Sequence, residues 1–185
     1  MGRNRRTSKD DILDAAERVV VRLGAAGLSI DAVAREAGVS KATVVYDHKS
    51  KSSLIAALID RRVAADKAHV QQCVERAAET PHPELFGRIA ASEKVLDETD
   101  RAVAVAVSAS MSTGDSVQQT MRDWTAEDLD AMRKGDRPDD ALVAYLALMG
   151  FVYTELFDFH EWTGDERRRI LDRIRAIYGS DRSVT

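Results

Sequence analysis

Residues 29–51 read SIDAVAREAGVSKATVVYDHKSK, and the reading of this stretch decides the fold. Ser29 stands where a helix wants its N-cap, with a hydroxyl available to the exposed amides of the first turn. Ile30, Val33, Ala34 and Ala37 then recur at i, i+3, i+4 and i+7, one apolar face of a 3.6-residue period. Gly38 follows at the position where a helix ending in the left-handed region favours glycine. Val39 can cover the turn, and Ser40 can cap a second helix over Lys41–Asp47. A small residue at Ala34, a turn glycine and an apolar Val44 returning to the core suit two short helices that cross steeply.

Such a pair is a helix-turn-helix, whose second helix fits the major groove with its N-terminal side chains against base edges. Lys41 can donate to guanine O6 and N7, Thr43 can donate or accept, and Ala42 and Val45 can meet a thymine methyl. Tyr46, Lys49 and Lys51 are placed for phosphates, which fix register without reading sequence. Ser29 and Ser40 complete the DNA-binding set. A soluble helical hairpin with no DNA partner can carry the same spacing, so the rest of the chain has to be weighed with it.

Charge supports the DNA reading. The 185-residue chain has a net charge of −4, which by itself argues against a nucleic-acid partner. The charge is unevenly divided: residues 1–62 hold 12 Lys/Arg against 8 Asp/Glu, and residues 63–185 hold 15 against 23. A basic reader on an acidic body docks electrostatically through one end. With 44% hydrophobic and 31% charged residues, wholesale disorder is excluded, and three prolines with abundant alanine favour helix almost throughout.

Residues 12–58 resemble the DNA-binding domain of TetR-family regulators, from Ile12-Leu13-Asp14-Ala15-Ala16 through Gly27 and Ala34, Gly38-Val39-Ser40-Lys41 to Lys51 and Leu54. The resemblance implies an all-α, homodimeric repressor. Its N-terminal three-helix reader would join a C-terminal helical domain that dimerises and binds an inducer. It also implies that Lys41, Ala42, Thr43 and Val45 face bases, while Tyr46 and Lys51 face phosphates, Lys51 from the start of the fourth helix. The chain departs from the family at Val45-Tyr46-Asp47-His48. The tyrosine is displaced by one, an acid stands where an aromatic is common, and a histidine takes a phenylalanine position. Asp47 would repel phosphate unless it pairs with a basic side chain or reads a cytosine amino group. His48 is read as a partly buried, hydrogen-bonded packing residue, with a pH switch as the alternative.

Before the reader, Arg3, Arg5 and Arg6 form an arm that can follow phosphate or enter a minor groove, or simply be a solvated tail. Ser8 and Asp11 make a capping box for a first helix with Ile12, Ala16, Val19, Val20 and Leu23 on one face, ending near Gly24 or Gly27. After the reader, a helix from Ser50 to about Glu79 is expected to link reader and body. Thr80-Pro81-His82-Pro83 breaks it. The expected division is therefore 1–50 reader, 51–80 connecting helix, and 81–185 regulatory and dimerisation domain.

Glu84–Asp97 reads as a helix, as does Ala102–Met111 despite its valine–alanine alternation, because a lone strand would have no partner. A helical stripe then runs to about Arg133. Pro138 opens a helix that is apolar on most sides over Ala141–Phe159, so it is central to its domain or shared with a second subunit. Thr163 and Glu166 cap a last helix with Ile170, Leu171, Ile174, Ile177 and Tyr178 on one stripe. The resemblance assigns these last two helices to a four-helix dimer interface, with Leu142, Leu146, Phe151, Ile170, Ile174 and Ile177 as its residues. Packing alone leaves an intramolecular core open. Met111, Trp124, Met149, Tyr153, Phe157 and His160 are candidate walls of an apolar effector pocket, or members of a solid core.

An enzyme is disfavoured. Asp47-His48 and His160-Glu161 are sequence neighbours, which point about 100° apart on a helix, and no nucleophile or phosphate-loop glycine pattern occurs. The single cysteine, Cys73, reads as a packing residue, and the four histidines lack metal-ligand spacing, so no cofactor or metal is expected. The N-terminus has no apolar signal region, and the longest apolar run, Ala141–Tyr153, is too short to span a bilayer. A cytoplasmic protein is expected. The partners are double-stranded DNA with a palindromic operator, a second copy of the chain and a small-molecule effector. A helical protein-interaction adaptor is the alternative reading.

Overall fold

A computed structural model of the chain describes residues 8–111 and 115–179. Among these residues there are nine helices and no strand: α1 (Lys9–Gly27), α2 (Ile30–Ala37), α3 (Lys41–Asp47), α4 (Lys51–Arg76), α5 (Pro83–Ala91), α6 (Glu98–Met111), α7 (Asp115–Met132), α8 (Pro138–Leu156) and α9 (Gly164–Gly179). The all-α reading holds, including the helix over the valine–alanine segment. The arginines of the N-terminal arm lie outside the described residues.

The chain packs as two compact units, Met1–Val63 with Asp97–Thr120, and Ala64–Leu96 with Met121–Thr185. The expected boundary at the Thr80–Pro83 break is a break in helix, but packing divides the chain inside α4 and places α6 with the reader. Sequence order hides this, because α6 packs on α1, far earlier in the chain.

In the first unit α1 begins on the expected capping box. Ser8 Oγ accepts from the Asp11 amide at 3.1 Å and Asp11 Oδ2 accepts from the Ser8 amide at 2.7 Å. Ile12, Ala15, Ala16, Val19 and Val20 of α1 are buried with Leu28, Val33, Ala34 and Val44. Leu54, Ile55, Leu58 and Ile59 from the first half of α4 are buried as well. Gly24 adopts φ 67° and ψ 176°, which kinks α1 before its last turn, so both glycines named for its end are used.

In the second unit Leu85, Ile89, Met132, Ala141, Ala144, Tyr145, Leu148, Phe151, Leu171, Ile174 and Tyr178 form one buried cluster. His82 caps α5 in place of a hydroxyl, its Nδ1 accepting from the Leu85 amide at 3.2 Å. The α5 helix stops at Ala91 rather than near Asp97. The buried Arg167 of α9 takes the carbonyls of Ser92 and Glu93 at 3.0 and 3.2 Å, so these oxygens turn out of the helical ladder. The α8 helix likewise stops at Leu156 instead of Phe159, because Asp158 enters the left-handed region at φ 54° and the Phe159 amide returns to the Thr154 carbonyl at 2.9 Å. Thr163 and Glu166 form the expected capping box of α9.

Candidate nucleic-acid interface

The α2–α3 corner is held by short-range hydrogen bonds that its sequence supplies. Ser29 Oγ accepts from the Ala32 amide at 3.1 Å. Gly38 takes φ 67° and ψ 31°, the left-handed pair that a side chain would strain, and the Val39 amide donates back to the Ala34 carbonyl at 3.0 Å. Ser40 Oγ accepts from the Thr43 amide at 3.1 Å and pairs with the Thr43 hydroxyl at 2.9 Å. Val44 is fully buried and pins α3 to the core.

The remaining faces of α3 point outward. Lys41, Ala42, Val45 and Tyr46 are exposed, with Tyr46 at 87%, and Thr43 is half-buried. Lys49 and Lys51 are exposed beyond the helix, and Lys51 Nζ donates to the Ala26 carbonyl at 3.2 Å. The corner thus brings Lys41, Ala42, Thr43, Val45 and Tyr46 to one solvent-facing helix. Ser29 and Ser40 use their hydroxyls as cap acceptors, which gives both a structural role before any DNA role.

Ion pairs line the reader. Glu36 of α2 receives Arg18 Nε and Arg22 Nη2 of α1, each at 2.9 Å. The Arg18 hydrogen bond, reinforced by Arg22, holds the Glu36 carboxyl below the usual range. Lys41 Nζ lies 3.0 Å from Asp31 Oδ2. Asp47 finds a basic partner in Lys9, at 3.8 Å. His48 is 7% exposed and packs into the core, but its Nε2 is buried with no hydrogen-bond partner. Burial pushes the imidazole below its ordinary range, with Asp47 opposing the shift and Lys9 adding to it. The packing part of its expected role is seen. The hydrogen bond at Nε2 is not.

The expected effector-pocket residues whose side chains are described, Trp124, Met149, Tyr153, Phe157 and His160, are half-buried or exposed. Trp124 is half-buried with the Arg88 guanidinium 5.7 Å above its ring, and its Nε1 is buried without a partner. Tyr153, Phe157 and Phe159 instead form a run of aromatic rings at the end of α8, spaced 6.1 and 5.7 Å, and the exposed His160 sits 4.2 Å from Trp162. Met149 packs partly buried against the core cluster. The side chain of Met111 lies outside the described residues. An open groove of about 480 Å³ runs along α9 between Trp162, Ile170, Ile174 and Ile177, bordered by Glu166, Arg169 and Arg173.

Two residues expected at a dimer interface are spent elsewhere. Phe151 and Ile174, at 6% and 4% exposure, belong to the core of their own unit. Leu146 is exposed, and Leu142, Ile170 and Ile177 are partly so. The α8 helix is apolar all round because it has two apolar stripes. Ala141, Ala144, Tyr145, Leu148 and Phe151 face inward, while Val143, Leu146, Ala147, Gly150 and Tyr153 face solvent.

Sequence reasoning missed a polar ladder in the second unit. Arg88 of α5 donates to Asp66 of α4 at 2.9 Å and to Asp128 of α7, and Tyr145 of α8 donates to the other Asp128 oxygen at 3.0 Å. Burial, then the Asp128 charge, pushes the Tyr145 phenol well up. One signal was present: an arginine inside the apolar run Leu85–Ala91 needs carboxylates from elsewhere. Among the described residues no group of three or more metal-capable side chains converges, and no helix is long and apolar enough to cross a membrane.

Among the described residues every element is helical, and the helix-turn-helix presents an exposed second helix, the arrangement found in DNA-binding regulators. Residues 12–58 match the family described as bacterial regulatory proteins, tetR family, and residues 67–178 match the tetracyclin repressor-like C-terminal domain. The chain belongs to the TetR family of transcriptional regulators, which are not enzymes. Its fold is similar to a transcriptional regulator from Rhodococcus sp. Rha1, with TM-score 0.72 and 20% identity over 94% of this chain and 97% of that one. It is also similar to a TetR-family member from Streptomyces coelicolor A3, with TM-score 0.68 and 20% identity over 90% and 96%. The multidrug binding protein EbrR complexed with ethidium gives TM-score 0.66 and 20% identity over 93% and 99%. No curated protein matches the chain in sequence.

Proposed function

We propose that the protein is a cytoplasmic repressor that binds an inverted-repeat operator as a homodimer and is released by a small-molecule effector. The exposed N-terminal half of α3 carries this reading. Lys41, Ala42, Thr43 and Val45 are read as facing base edges, and Tyr46, Lys49 and Lys51 as facing phosphates, around a corner fixed by Ser29, Gly38 and Ser40. The outward apolar stripe of α8, with Ile170 and Ile177 of α9, supports a two-fold contact with a second copy. A two-fold dimer places its readers about one helical turn apart or slightly more, roughly 34–40 Å.

For the effector, the half-buried Trp124 and the aromatic run Tyr153–Phe157 supply walls for an apolar or amphipathic molecule. The likeness to a fold that carries ethidium in EbrR favours the same class of ligand. In-vitro selection of random duplex DNA with the purified protein, at near-physiological salt, tests the proposal. Enrichment of a palindrome, lost in the Lys41→Ala/Thr43→Ala variant, is the expected result. Binding without sequence preference, or selection unchanged in that variant, would overturn it.

A further inference from the structure

We infer that Asp31 is a specificity-determining residue of the reader, holding Lys41 back from phosphate and aiming it at a base. The inference rests on α3 reading DNA as proposed above. Lys41 and Asp47 are the only charged residues of α3, so Lys41 is its one long cation. Its Nζ lies 3.0 Å from Asp31 Oδ2, contributed by the first turn of α2, and the two side chains are 62% and 60% exposed. The pair therefore lies on the solvent side, where DNA would approach, rather than inside the corner.

An ammonium has three N–H donors. With one directed at Asp31, two remain, the number that guanine O6 and N7 accept. Asp31 thus narrows the directions open to a flexible four-carbon stem and keeps a carboxylate beside the tip of the cation. On a non-cognate duplex, Lys41 meets only phosphate. Taking it requires either abandoning Asp31 or bringing that carboxylate against a phosphate, and both oppose binding. On the cognate site the base pair accepts the two remaining donors, and Asp31 stays where it is. At the other end of α3 the roles are reversed: Asp47 is the helix residue, and Lys9 of α1 supplies the cation at 3.8 Å.

The test compares the full-length protein with Asp31→Asn on the selected operator and on random duplex, across a salt series. Asp31→Asn is expected to raise affinity for random DNA about two- to fivefold and to change operator affinity by a smaller factor. The ratio of specific to non-specific binding therefore falls. The slope of log K against log salt on random DNA should steepen by about 0.9, the value of one further released counterion. Replacing the guanine opposite Lys41 should cost less in the variant. Asp31→Glu, which keeps the carboxylate, should restore the ratio. In the Lys41→Ala background Asp31→Asn should leave the ratio unmoved, which separates action through Lys41 from a general change of charge. Equal gains on both DNAs, or a loss of ratio that persists without Lys41, would overturn the inference. A wild-type protein with no sequence preference would instead sink the underlying reading of α3.

Discussion

Gly87 of α5 and Val74 of α4 approach so closely that a Cβ on Gly87 would lie 2.6 Å from the Val74 Cα and its amide nitrogen. Backbone cannot give way as a side-chain tip can. Gly87→Ala is therefore expected to push the two helices apart and destabilise the second unit by about 1–3 kcal/mol, despite alanine's better helix propensity. Thermal unfolding followed by circular dichroism measures this. A variant that melts at or above the wild-type temperature would contradict the close approach.

Arg167 meets Glu155 through two nitrogens, at 2.5 and 3.1 Å, and holds the carbonyls that end α5. Arg167→Ala takes a buried guanidinium from the Glu155 carboxylate and from two carbonyls in a largely covered site, which costs about 3–5 kcal/mol. Lysine offers one ammonium in place of a planar fork, so Arg167→Lys should recover only part of that. Chemical denaturation of the three proteins gives the ranking, and full recovery by lysine would argue against the fork.

His48 makes the reader sensitive to acid. Burial lowers its folded pKa below the ordinary 6.5, so the unfolded chain takes up a proton first as the pH falls. Stability is unaffected well above 6.5 and declines below it, by at most about 1.4 kcal/mol per pH unit, until the folded pKa is reached. His48→Phe should remove that part of the slope and, by replacing an unpaired buried nitrogen, add about 1 kcal/mol at neutral pH. Melting temperatures from pH 5 to 8 decide the matter. Parallel curves for the two proteins would show that His48 is not responsible.

Tyr46 and Lys41 should fail differently. Tyr46→Phe removes an exposed hydroxyl assigned to phosphate and should weaken all duplexes by a similar few-fold factor. Lys41→Ala should cost about 1–3 kcal/mol on the operator and relax preference at one base pair. Quantitative binding to a panel of single-base operator variants separates them, and identical profiles would refute the division of labour.

The outward stripe of α8 gives a prediction for assembly. Leu146→Glu places a charge among Val143, Gly150 and Tyr153 on a face that the protomer's own core does not use. Sedimentation should show a shift toward monomer with the fold retained. An unchanged assembly would move the dimer contact elsewhere.

What the sequence made legible was local. Ser8 with Asp11, Ser29 with Ala32, Gly38, Ser40 with Thr43, and Thr163 with Glu166 all act within four residues, where spacing fixes geometry. The features it hid join distant segments. Arg88 reaches Asp66 and Asp128 across 22 and 40 positions, and Arg167 meets Ser92 across 75. The stop of α5 at Ala91 follows from that last contact, so the residues around Ala91 could not announce it. Phe151 shows the same limit: an all-round apolar helix such as α8 does not declare which stripe turns inward.

His82 Nδ1 accepts the Leu85 amide, so the ring proton sits on Nε2, which faces the Met132 carbonyl at 3.3 Å. Glu84 Oε2 lies 3.8 Å from the same Nδ1. Both ring nitrogens are thus engaged by main chain. The histidine works as a clip that fastens the start of α5 to the end of α7, 50 residues on. Hydrogen exchange at the Leu85 amide will therefore report opening of the clip and not fraying of a helix end.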